Sequence, residues 1–199
     1  RVIARPFVGE TAATFFRTAC TNPLRATKDA GIGHVVSLSI VGIDRNPHGY
    51  YAGKVAQEEV YTSSDAPWTI LRATQFHEFT AQSLGAFPGP IAVVPRMRQQ
   101  PVAAREVGAA LAALAAGGPV GRAPELAGPE EEYLPDLARR YLEATGGRRR
   151  VLAVRLPGKV GRQLDAGALL PTGPGPRGVQ TFEQWLDGVR QAARKPGQA

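Results

Sequence analysis

The chain has one cysteine, one methionine and only four lysines among its 24 basic residues. With Cys20 alone, no disulfide can form within the chain, and a reducing compartment such as the cytoplasm is the simplest setting. No apolar run approaches the roughly 18 residues a membrane helix needs. The nearest candidate, Val107 to Ala116, is short and alanine-rich and reads as a buried helix. The start, Arg-Val-Ile-Ala-Arg-Pro, lacks both a signal-peptide pattern and an initiator methionine, so the chain is expected to be part of something longer. His34, His48 and His77 have no ligand-like spacing among themselves or with Cys20, and no metal is expected.

What is present is ordinary globular composition. The 199 residues are 43% hydrophobic and 21% charged, enough for one substantial core with a small appended lobe. The net charge of +7 comes mostly from scattered arginines, with one tight cluster at Arg148–Arg150. No docking motif accompanies it, so nucleic acid is not an expected partner.

The apolar run Val35 to Val41 reads as a strand covered on both faces, and Tyr50 to Ser63 as a helix. Trp68 to Arg72 reads as a second strand. Strand, helix, strand with short connections predicts a crossover in a parallel sheet. Within it, Tyr50 and Lys54 share a helix face at i and i+4. A nearby ammonium favours phenolate, so the spacing predicts a Tyr50 pKa lowered toward working pH and a proton-transfer role. Ser39, at the strand end, is placed to hold the same substrate oxygen. Read blandly, Tyr50 and Lys54 are a surface helix pair, and Ser39 is a strand-end hydroxyl satisfying backbone.

Elsewhere, Val2 to Ala4 reads as the tail of a strand, and Glu10 to Ala30 as a helix that Pro23 kinks or splits. Thr74 to Leu84, Ala104 to Ala116 and Tyr133 to Thr145 read as helices. Ile91 to Val94, Glu125 to Gly128 and Val151 to Val154 read as strands. Glu130–Glu132 suit an acidic first turn for the Tyr133 helix. Thr181-Phe-Glu-Gln184 matches a capping box opening a last helix.

Taken together, Val36-Ser-Leu-Ser-Ile-Val-Gly42, Gly49-Tyr-Tyr-Ala-Gly-Lys54, Pro67 through Phe79 and Glu125-Leu-Ala-Gly-Pro129 resemble the atypical short-chain dehydrogenase/reductases, nearest the NmrA-like NAD(P)H-binding branch. The resemblance covers roughly Phe15 to Leu186. It implies an α/β fold: a Rossmann-like, doubly wound parallel sheet with a small C-terminal α+β lobe. Residues 1–90 would be the C-terminal half of the dinucleotide-binding domain. Residues 91–199 would be the substrate lobe and closing helices, the whole forming one continuous unit.

The resemblance further implies NAD or NADP as cofactor and hydride transfer to a small carbonyl or quinone-like substrate. Tyr50 would be the acid/base, Lys54 would hold the nicotinamide ribose, and Ser39 would orient the substrate, with Ser37 on the same strand face as its fallback. Ser37, Ala73, Thr74, Gln75 and Phe76 would lie against the cofactor, while Tyr51 and His77 would line the substrate pocket. A homo-oligomer is compatible with this reading. The family's Gly-x-x-Gly-x-x-Gly, which belongs after the first strand, occurs nowhere before Phe15, which implies either a member truncated at its N-terminal side or one that has lost its nucleotide-phosphate site. Such a chain by itself would bind dinucleotide weakly or not at all, since the pyrophosphate lacks its helix N-terminus. The alternatives are a dinucleotide-sensing regulator that does not turn over substrate, and an inactive remnant.

Overall fold

Apolar and β-branched side chains dominate Val35–Ile40 (β1) and Trp68–Ala73 (β2), and these pair in parallel, Val35 opposite Trp68 through Ile40 opposite Ala73. The computed structural model describes residues 10–86 and 89–194, so the expected strand at Val2 to Ala4 lies outside them. Helix α2 (Tyr50–Thr62) joins the two strands, completing the expected crossover. A short strand, β5 (Gly121–Arg122), pairs with the other side of β2, giving the order β1-β2-β5. Among the described residues no strand pairs with the outer edge of β1.

Helices lie on both faces of this sheet. Ile70 packs with Cys20 and Tyr61, on α1 (Glu10–Asp29) and α2, whereas its neighbour Leu71 packs with Val107 of α4 (Ala104–Ala116). Successive strand residues point to opposite faces, so the sheet is wound on both sides. Gly53 lets α1 and α2 close together, since a Cβ there would stand 2.4 Å from the Phe16 ring.

The remaining elements build a second layer. Strands β3 (Ile91–Pro95) and β7 (Arg150–Val154) pair in parallel, and β4 (Arg98–Gln99) pairs antiparallel with β6 (Glu132–Tyr133). Around them, α3 (Phe79–Gly85), α5 (Leu134–Ala144) and α6 (Gly158–Asp165) enclose Val94, Met97, Leu134 and Leu164. The last helix, α7 (Phe182–Arg194), lies on α5. Its capping box is closed in both directions: Thr181 N donates to Gln184 Oε1 at 2.9 Å, and Gln184 N to Thr181 Oγ1 at 3.2 Å. Because β5 joins the first sheet and α4 packs on it, residues beyond 90 complete the layer begun before it.

Five local expectations need correction. Val107 to Ala116 is helical but not a buried helix, since Val107 is its one buried residue and the alanines lie at or near the surface. Helix α1 runs unbroken through Pro23, because both Pro23 and Ala19, whose carbonyl the proline cannot bond, face solvent. Helix α3 starts at Phe79 rather than Thr74. The backbone before it is committed elsewhere: Thr74 N donates to Leu126 O at 3.0 Å, and Val102 N to Gln75 O at 2.9 Å. Glu125 to Gly128 makes only isolated bridges, Leu126 with Ala73 and Ala127 with Arg177. Glu130–Glu132 precede α5 instead of forming its first turn, and Glu132 pairs with Arg140 at 3.0 Å.

Candidate functional site

A cavity of about 410 Å³ opens at the carboxyl ends of β1 and β2. Leu38, Ser39 and Ile40 of β1 form one wall, Tyr50, Tyr51 and Lys54 of α2 a second, and Ala73 to Phe76 a third. Phe79 and Gln82 of α3 close it. In open α/β sheets, the crevice outside the carboxyl ends of parallel strands is where ligands bind.

Lys54 is the most constrained of these residues. Its ammonium is buried, donates to Leu38 O at 2.7 Å and to Gln57 Oε1 at 2.6 Å, and lies 5.5 Å from the Phe16 ring centroid. That uses two of three donors. Burial lowers its pKa to about 8, with Cys20 and Glu58 pulling the other way. Gln57 then passes the contact on, donating to Ser37 Oγ at 2.6 Å. Ser37 is thus tied into a chain behind the cavity wall, while Ser39 reaches the cavity itself.

Tyr50 corrects the sequence reading. It is 44% exposed, with its ring edge-on to Phe16 at 5.6 Å and to Tyr51 at 6.2 Å. Partial burial raises its pKa rather than lowering it. The expected depression fails because the Lys54 ammonium turns toward the Leu38 carbonyl and Gln57. Tyr51 is raised as well, by burial and then by Tyr50, and it packs on the second-layer core.

Two polar side chains in the cavity wall are buried yet unpaired. Gln75 is 8% exposed, with neither its amide nitrogen nor its oxygen bonded, and Ser39 is 1% exposed without a hydrogen-bond partner of ordinary geometry. Leaving such groups unpaired costs about 1–3 kcal/mol each, a cost a ligand can remove. Thr74 is already committed, its Oγ1 donating to Gln100 O at 2.5 Å. Phe76 lines the cavity and bridges to Val102, and Ala73 ends β2.

His77 does not reach the cavity wall. It is fully buried, its Nε2 donates to Gln180 O at 3.2 Å, and its ring packs 5.7 Å from Phe182 and 5.8 Å from Trp185. Burial lowers its pKa, as for a neutral core histidine. The sequence reading missed Gln57 and Glu58. Both lie three to four residues beyond Lys54, on the helix face that meets β1, and polar residues on a buried face were the available signal.

Lys54 also has a measurable signature in stability. Between about 8 and the ordinary value of 10.5, the unfolded chain holds a lysine proton that the folded chain has released. Stability then increases with pH across that window. The Cys20 thiol, raised by burial above its ordinary value of 9.0, opposes it from about pH 9, and near pH 10 the raised phenols of Tyr50, Tyr51 and Tyr61 add to that opposition. Urea midpoints are expected to climb from about pH 8 to 9 and to lose that climb in Lys54→Met. The same profile in both chains would contradict a buried ammonium.

No protein-family model matches the chain, and no curated protein matches it in sequence. Solved structures do match in shape. An NADPH-dependent quinone oxidoreductase from Escherichia coli superposes with a TM-score of 0.63 at 18% identity, over 87% of this chain and 72% of that one. The UDP-glucose 4-epimerase of Bifidobacterium longum, solved with NAD+ and UDP, gives 0.65 at 11% identity, over 98% and 76%. A triphenylmethane reductase from Citrobacter sp. gives 0.61 at 15%, over 92% and 72%. These likenesses establish the Rossmann-like α/β fold. Among the described residues, no helix is long and apolar enough to cross a membrane.

Proposed function

We propose that the cavity receives the nicotinamide end of NADH or NADPH, and that the protein is an oxidoreductase acting on a small carbonyl or quinone-like substrate. The observation that carries this is the convergence of Tyr50, Lys54, Ser39 and the unpaired Gln75 amide on one cavity at the carboxyl ends of two parallel strands. The fold neighbours, solved as an NADPH-dependent quinone oxidoreductase and with NAD+ in an epimerase, support the same reading.

The residues fit one end of such a cofactor. The remaining Lys54 donor suits ribose hydroxyls, and Gln75 offers one donor and one acceptor to a carboxamide. The pyrophosphate end is not matched, since Gly-x-x-Gly-x-x-Gly is absent from the sequence. Bound, the dinucleotide would supply the hydride. The chain's own residues would orient the substrate oxygen through Ser39 and deliver a proton to it from Tyr50. A phenol whose pKa is raised stays protonated at neutral pH, which suits donation and hence the reducing direction. Phe76, Phe79, Tyr50 and Tyr51 give the cavity flat aromatic walls suited to a planar acceptor.

Saturation-transfer NMR with NADH and with NADPH tests this reading. The largest transfer is expected at the nicotinamide and adjoining ribose protons, with affinity weakened about 10- to 100-fold in Lys54→Met through loss of a charge-assisted hydrogen bond. Transfer led by the adenine protons, or none at all, would count against it.

A further inference from the structure

One buried carboxylate on α2 ties that helix to β2 and β5, close behind the cavity. Glu58 is 4% exposed and sits on α2 one turn beyond Lys54. From β2, Arg72 forks onto it, Nε to Oε1 at 2.8 Å and Nη2 to Oε2 at 2.8 Å. From β5, Arg122 also bonds Oε2. From β1, the Ser39 hydroxyl lies beside it, near enough to act on the carboxyl though not in ordinary hydrogen-bond geometry. Burial alone would raise this carboxyl. The bonds from Arg72 and Arg122, with the nearby Ser39 hydroxyl, outweigh burial and hold it at about 2, so Glu58 is ionised at neutral pH.

Stability is a weak explanation for such a group. Exchanging a buried ion pair for apolar residues of similar volume is often neutral or favourable. Glu58, Arg72 and Arg122 line a separate hollow with Asp44, and the link to the cavity runs through neighbours. Arg72 is the residue before Ala73, where the third wall begins, Ser39 beside the carboxylate is in the first wall, and Lys54, one helix turn away, is in the second.

We propose that Glu58 is a positioning residue for the cavity, its carboxylate acting through the Lys54 ammonium one turn away and the Ser39 hydroxyl beside it. The reading of the cavity as a dinucleotide site gives this geometry its purpose, but the test needs no ligand. Lys54 faces Cys20 and Phe16 from α1, the Leu38 carbonyl from β1, and Gln57 and Glu58 from its own helix, which also carries Tyr50 and Tyr51. Glu58 faces Arg72 and Arg122, and the outer nitrogen of Arg72 meets Asp44 at 3.2 Å and Glu125 at 3.9 Å. Glu58 is the nearest anion on that list to Lys54 in sequence, and it draws the ammonium toward its charged form.

The test is an NMR titration of the lysine side chains, which is tractable because the chain has four lysines and Lys54→Met identifies the signal. In Glu58→Gln, the Lys54 midpoint is expected to fall by roughly one pH unit, as for loss of an opposite charge one helix turn away. Glu58→Asp, which keeps the charge, should restore it to within about 0.3 unit. Glu59→Gln should leave it unchanged, because Glu59 is exposed and paired with Arg17. If Glu58→Gln does not fold, the double variant Glu58→Gln with Arg72→Gln replaces the ion pair by a neutral amide pair and should give a smaller fall of the same sign. A folded variant of either kind with an unmoved Lys54 midpoint would overturn the proposal. A moved midpoint together with no dinucleotide binding would uphold it while removing the oxidoreductase reading.

Discussion

Tyr50→Phe is expected to lower turnover by roughly 10²–10⁴-fold, the range for losing a positioned general acid, while dinucleotide affinity changes by less than about twofold. The assay is oxidation of NADH or NADPH with a water-soluble quinone or a small aldehyde. The expectation rests on place rather than on a tuned pKa. Tyr50 stands at the cavity mouth, 44% exposed, where its hydroxyl can meet a substrate oxygen and stay supplied from solvent. Its raised pKa keeps the proton available, so reduction should be nearly flat with pH up to about 8 and decline above it as Lys54 loses its charge. A dinucleotide sensor would instead bind equally well and show no activity for the substitution to remove.

Phe182→Ala should have the largest effect on stability, about 3–5 kcal/mol by urea denaturation, the range for deleting a fully buried aromatic ring. Phe182 is 2% exposed and packs with Leu137 and Leu186. Its ring lies 5.3 Å from Trp185 and carries the Arg140 guanidinium 5.0 Å from its centroid. The consequence reaches the cavity. Trp185 Nε1 donates to Glu78 Oε1 at 3.2 Å, and Glu78 immediately precedes Phe79 in the cavity wall. Ligand binding should therefore weaken along with stability. Val179→Ala, at a side chain 79% exposed, should stay within about 0.5 kcal/mol of the unaltered chain. A loss below about 1 kcal/mol for Phe182→Ala would mean that α7 is not part of the folding unit.

How much of this was legible in the sequence varied with how local the signal was. The β1–α2–β2 unit could be read because continuous apolar strands, a helical i,i+4 pair and short connections all agree. The capping box at Thr181 was legible for the same reason, since four residues carry the whole signal. The start of α3 was not, because Thr74 to Phe76 is held extended by Leu126 and Val102, far along the chain. Helix α6 went unread because its eight residues include Gly158 and Gly161, which lower helix propensity. Gly161 is needed there: a Cβ would stand 1.8 Å from the Leu156 carbonyl.

The site divided in the same way. Spacing brought Tyr50, Lys54 and Ser39 to one cavity, yet partial burial set the direction of the Tyr50 pKa while the Lys54 ammonium bonded elsewhere, and spacing carries no information about either. His77 follows directly on the cavity-wall residues Gln75 and Phe76, but its ring turns into the aromatic cluster of α7. Glu58 went unread, because what sets it apart is that Arg72 and Arg122, from two different strands, close on it.

The most direct test of the account is to follow the backbone amide resonances while NADH or NADPH is added. The account predicts shifts concentrated at Ser39 and Ile40, at Tyr50 to Lys54, and at Ala73 to Phe76, with α4 and β7 unmoved. Shifts centred on α4 or β7, or a saturable binding signal that leaves Ser39, Lys54 and Gln75 in place, would contradict it.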